Sequence, residues 1–209
     1  MTIIDGGPAR ASLVSRAQGI LMKPAAEWDV IDGESATVQS LFTGYACILA
    51  AIPPIAMVIQ GFLFMHWGVI PIIVIAALSY VFSLVGVYIM GMIIDALAPS
   101  FDGQKNQVQA MKLAVYPYTA AWVAGILNIV PVLGILAALA GLYGLYILYL
   151  GLPKLMKSPP EKTLGYFIVS LVVAIVVNMV IATVIASLTV MMTAGAILGG
   201  AAALGGFPH

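Results

Sequence analysis

The chain is poor in charge: 8% of its 209 residues are Asp, Glu, Lys or Arg, eight basic balancing eight acidic. That balance points to no strongly anionic partner and gives no footprint for nucleic acid. Cys47 is the only cysteine, which excludes an intramolecular disulfide framework and a zinc site of the paired-cysteine kind. Of the two histidines, His66 falls in a turn and His209 is terminal, and neither HExxH nor GxSxG occurs. Paired catalytic groups are therefore missing, and the expectation is a protein that is not an enzyme.

What is present is apolar. Hydrophobic residues make up 63% of the chain and the mean hydropathy is +1.12, well beyond a soluble globular domain. The fold class expected is all-α, a polytopic integral membrane protein whose solvent is the lipid bilayer. Residues 1–34 carry eight charges of both signs, unlike a cleavable leader, and are expected to be retained as part of an N-terminal segment, 1–40.

The uncharged stretches place the spans. Sixty residues separate Glu34 from Asp95 without one Asp, Glu, Lys or Arg, enough for two helices near 41–63 and 70–94 joined by a turn holding His66 and Trp67. Leu113 to Pro153 is also uncharged and divides at Asn128 and Pro131 into spans near 110–128 and 131–151. Residues 113–128 alone reach only about 24 Å at 1.5 Å per residue, short of a hydrocarbon layer of roughly 30 Å. A fifth helix, 164–193, completes a transmembrane domain over 41–194. In the Gly/Ala-rich tail, 195–209, glycine density disfavours a stable helix.

Five spans would put all eight basic residues on one side: Arg10, Arg16, Lys23, Lys105, Lys112, Lys154, Lys157 and Lys162. Basic residues accumulate in cytoplasmic loops, so the N-terminus is expected inside and the C-terminus outside. In the N-terminal segment Leu13, Ala17, Ile20, Leu21, Trp28 and Ile31 recur at helical spacing opposite Arg16, Lys23, Glu27 and Asp29. That pattern suits one or two helices lying in the membrane interface, with Trp28 and Trp67 as headgroup anchors.

Polar residues at membrane depth are the candidate functional residues. Asp95 ends the second span, where the helix dipole disfavours a negative charge, so a positive partner is expected, ordinarily Lys105 or Lys112. The sharper alternative is a divalent cation held by Asp95 with Asp102, or with Asp29 and Asp32; otherwise no cofactor is expected. Asn178, in the last span, is expected to hydrogen-bond another helix. Tyr143, Tyr146 and Tyr149, with Tyr116 and Tyr118, suggest an aromatic–hydroxyl cluster at intermediate depth. Gly134, Gly141 and Gly144 suggest close helix packing. Gln60, Tyr80, Asn128 and Asn178 are placed to line a polar seam for a neutral solute.

Four segments carry a resemblance: the pattern R-x-x-x-I-L-x-K-P-x-x-x-W-x-x-I from Arg16 to Ile31, DALAPSFDGQKN from Asp95 to Asn106, YPYTAAWVAGILNIVP from Tyr116 to Pro131, and GLYGLYILYLGLP from Gly141 to Pro153. In order and spacing they are similar to the Yip family of Ypt/Rab-interacting membrane proteins, in its bacterial branch. The resemblance implies five spans with a cytoplasmic N-terminus. It implies a membrane scaffold, organiser or trafficking-type factor, with a homo-oligomer or other membrane proteins as partners and a small GTPase by family analogy. The alternative is a small-solute or cation transporter with an acidic cytoplasmic site.

Overall fold

The computed structural model describes residues 12–65 and 69–205, of which 65 and 192–205 are described by their backbone alone. Trp67 and His66 lie outside the described residues. The described residues are helical almost throughout and form no strand, as a chain must when lipid leaves every backbone polar group to be satisfied internally.

Two short helices come first, α1 (Leu13–Met22) and α2 (Pro24–Gly33). Ser12 caps α1 by accepting a hydrogen bond from the Ser15 amide, and Pro24 opens α2 where its missing N–H costs nothing. The first membrane-length run, Val38–Phe64, is segmented. Thr37 and Ser40 form a reciprocal cap at the start of α3 (Val38–Leu41); a π-helical turn, Phe42–Ala46, leads to α4 (Cys47–Leu49) and then α5 (Ile52–Gln60). Pro53 and Pro54 break the run because neither can donate to the carbonyl four residues back. The long helix α6 (Val69–Leu97) returns, and a 3-10 turn, Ala98–Phe101, ends it.

Among the described residues, four helical runs are long and apolar enough to cross a membrane: Val38–Phe64, Val69–Phe101, Pro131–Met156 and Pro160–Met191. The span expected at 110–128 is not one continuous helix. It is α7 (Gln107–Val115), a break at Pro117, α8 (Tyr118–Ala124) and a 3-10 turn, Gly125–Ile129. Pro117 removes the amide that would bond Leu113, so the helix cannot run through. This broken segment lies beside the first run and in the same direction: α7 packs on α3, and the 3-10 turn on α5.

The last two helices are α9 (Gly134–Met156) and α10 (Pro160–Gly205). The helix of α10 continues through most of the Gly/Ala-rich tail, against the expectation from its glycines. After Pro160 no proline occurs in the sequence before Pro208. Where water is absent, the helix is then the conformation that satisfies the backbone polar groups.

The N-terminal helices are packed into the bundle rather than left as a separate amphipathic layer. They wedge against α9 and the broken segment, with Ile20, Trp28 and Ile31 fully buried in the same core as Val115, Ile147 and Leu152. Trp28 is therefore not a headgroup anchor: its Nε1 donates to the Ile147 carbonyl at 2.9 Å, and its ring meets Tyr116 edge-on. Gly151 makes this approach close, since a Cβ there would stand 2.6 Å from the Trp28 ring and from Leu113 Cδ2.

Candidate functional site

The charged residues collect at one end of the bundle, where α1, α2, the turn after α6, the start of α7 and the α9–α10 connection meet. Arg16 sits at the centre, almost fully buried. Its guanidinium donates to Glu27 at 2.5 Å and to Glu34, and lies 5.8 Å above the Tyr116 ring. A planar fork with separate donors suits this double engagement, which a single ammonium would not match. The sequence pattern set Arg16 opposite the apolar stripe, yet it is buried with Ala17 and Ile20 because two carboxylates compensate its charge.

Lys112 is the second buried cation. Its ammonium donates to the carbonyls of Ile31 at 2.8 Å and Glu34 at 2.7 Å, tying the C-terminus of α2 to α7. Those carbonyls lie at the C-terminal end of a helix, where a cation is favoured; that of Ile31 also accepts the Glu34 amide at 3.3 Å. Lys154 binds Asp29 at 2.5 Å and the Ala25 carbonyl at 2.6 Å; Lys157 binds Asp32 at 2.5 Å; Lys162 binds Asp102 at 2.5 Å. Gln109 adds hydrogen bonds to both the Asp32 carboxylate and its carbonyl. Lys157 and Asp102 both adopt left-handed backbone, φ 55° and 54°, at the turns that bring these pairs together.

Three of the four carboxylates expected to share a cation are thus each spent on a different lysine. Among the described residues no group of three or more His, Cys, Asp or Glu side chains could hold a metal ion. Asp95 stands apart from them. One carboxylate oxygen is buried without a partner, and Lys112, expected beside it, reaches α2 instead. Tyr166, stacked on Phe101 at 5.0 Å, donates to the neighbouring Ile94 carbonyl. Sequence reasoning missed Lys112 and Arg16 as organising residues, although an isolated charge within an apolar helical pattern is a usable signal.

The expected tyrosine cluster divides: Tyr143 and Tyr146, one helical turn apart on α9, keep their rings together with centroids at 5.8 Å, while the other tyrosines meet different neighbours. Tyr116 belongs to the core with Tyr45, at 5.1 Å, and Tyr45 shares a hydrogen bond with Thr119. Tyr143 donates to the Leu21 carbonyl at the end of α1, Tyr146 points outward and Tyr149 packs on Phe167. Of the glycines, Gly144 faces the Pro117 carbonyl, where a Cβ would stand 2.7 Å away; Gly134 is beside Asn128, and Gly141 meets nothing within 4 Å.

The expected polar seam is also divided. Asn178 donates to Tyr118 at 3.5 Å and to the Ala174 carbonyl, on the wall of an apolar cleft of about 510 Å³ between the broken segment, α9 and α10. Gln60 and Asn128 instead share a second cavity, on the other side of the broken segment. Tyr80 points away from both, donating to the Cys47 carbonyl.

An uncharged helical bundle with its charges gathered at one end is an all-α polytopic membrane protein. The Yip1 domain family model matches residues 19–182, which include the end of α1, all of α2, the broken segment and all of α9. The chain belongs to the Yip1 domain family. Neither the curated proteins nor the solved structures gave a match.

Proposed function

We propose that the protein is a non-enzymatic membrane scaffold, of the organiser or trafficking-factor type, acting through its charged end. The observation that carries this reading is how the charges are used. Arg16, Lys112, Lys154, Lys157 and Lys162 are all engaged internally, which fixes α1 and α2 as a platform rather than lining a catalytic cleft. The outer face of the platform leaves apolar side chains uncovered, with Val14 at 62%, Met22 at 79% and Val30 at 53% exposure, beside the exposed Lys23. Such a mixed face suits a protein partner at the membrane surface. Partners in keeping with the family are other membrane proteins, further copies of the chain, or a small GTPase. The gathering of basic residues at this end supports a cytoplasmic face, in a bacterial inner membrane, as the reading of its orientation.

The test is affinity capture from native membranes with wild type and a Met22→Asp, Val30→Asp variant. A defined partner that wild type retains and the variant loses, at unchanged melting temperature, supports the scaffold. Capture of the same proteins by both, or of none, removes it. Transport of a small solute is the second reading, favoured by the polar cavity of Gln60 and Asn128.

A further inference from the structure

The cavity shared by Gln60 and Asn128 has a volume of about 330 Å³ and is built from three elements. Gln60 comes from α5, Ser79 and Ser83 from one face of α6, and Asn128 from the 3-10 turn after α8. Ser79 and Ser83 lie roughly 15–20 Å along α6 from Val69, at 1.5 Å per residue, well inside the apolar part of the helix. Hydrocarbon surroundings make such groups costly unless they are satisfied.

They are not satisfied by the protein. No hydrogen bond to the Gln60 or Asn128 carboxamide, or to the Ser79 hydroxyl, occurs among the described residues, while Ser83 accepts a long one from Trp122 Nε1 at 3.4 Å. Pro53 and Pro54, on the same wall, also withdraw the helical donors of Leu49 and Ala50. Several donors and acceptors therefore converge on one cavity within the usual size of small-ligand sites.

Their chemistry defines the ligand. No ionisable side chain lines the cavity, so a phosphate, carboxylate or ammonium would enter low dielectric without a counter-charge. No aromatic ring lines it either, which leaves a planar base nothing to stack on. Carboxamides and hydroxyls are each both donor and acceptor, as is every hydroxyl of a polyol, and the Pro53, Pro54 and Met57 wall suits its C–H faces. We infer that this cavity is a binding site for a small uncharged polyol, held by Gln60, Ser79, Ser83 and Asn128. The site is independent of the platform at the charged end.

Substituted cysteines read the cavity directly. With Cys47→Ala as background, Ala50→Cys and Met57→Cys, which line the cavity without holding the polyol, would be reconstituted separately in phospholipid vesicles, alongside Ile55→Cys, a position 57% exposed on the outer face of α5. Iodoacetamide, small, uncharged and water-soluble, present on both sides, should modify the two cavity thiols and not the lipid-facing one, whose reactive thiolate does not form without water. Glycerol, erythritol and myo-inositol are the probes, with choline chloride at equal osmolarity as control. At about ten times the half-protecting concentration of one of these polyols, modification should slow about tenfold, as single-site occupancy requires. Gln60→Leu should abolish the protection without abolishing the labelling. The inference is overturned if both cavity thiols are as inert as Ile55→Cys, which means lipid fills the space, or if they react but no polyol slows them, which means water alone does.

Discussion

Arg16 shows how little of an ionisable residue's role follows from its helix position. Buried between Glu27 and Glu34, it neutralises two carboxylates that would otherwise repel each other at the base of the wedge. Removing one partner of a buried pair costs more than the pair contributes, because it leaves uncompensated charge. Arg16→Leu should lower stability by about 3 kcal/mol, read as a fall in melting temperature in detergent, and Arg16→Lys should restore only part of it. Lys112→Met should cost about 1–3 kcal/mol by taking the ammonium donor from the Ile31 and Glu34 carbonyls. The acidic residues behave differently. With Asp29, Asp32 and Asp102 each held by a lysine, magnesium or calcium should produce no thermal shift, and elemental analysis should find no stoichiometric cation. A shift abolished by Asp95→Asn would instead restore the cation reading.

Helix packing turns on a few close approaches at the scale of elements. Gly151 admits the Trp28 ring and Gly144 admits the Pro117 carbonyl, so both fix how near α9 can come to its neighbours. A methyl at 144 meets backbone, which cannot rotate away, and Gly144→Ala should destabilise by about 1–3 kcal/mol. At Gly141 the space is open, and Gly141→Ala should leave the melting temperature nearly unchanged or slightly raised by reduced backbone entropy in the unfolded chain. That contrast separates true contact glycines from others at the same spacing. The pattern of small residues was legible in the sequence, but their partners were not. Contact depends on the phase of α9 against a segment more than twenty residues away in the chain.

Across the whole molecule, charge is sorted to one end. Four membrane-length runs and one shorter broken segment among the described residues bring α1, α2, the Ala98–Phe101 turn and the α9–α10 connection together there. The arrangement predicts the orientation. In the Cys47→Ala background, Lys23→Cys and Lys105→Cys should escape a membrane-impermeant thiol reagent in intact cells and react in inside-out vesicles. Labelling of both in intact cells would place the charged end outside.

The one-dimensional distribution of charge and apolar residues determined the all-α membrane class, the gathering of basic residues and the family likeness, because a bilayer acts on every segment alike. The division of the uncharged stretch at Asn128 and Pro131 was also legible from the sequence. Only the tertiary structure decided that Trp28 and Arg16 enter the core, that the tyrosine cluster divides, and that Asn128 faces Gln60 rather than Asn178. Those outcomes depend on which residues of distant segments fill the same space, and an apolar helix in lipid carries no amphipathic pattern to announce its inward face. Burial of a charge likewise requires partners from other turns and helices, and these exist together only once the chain has packed.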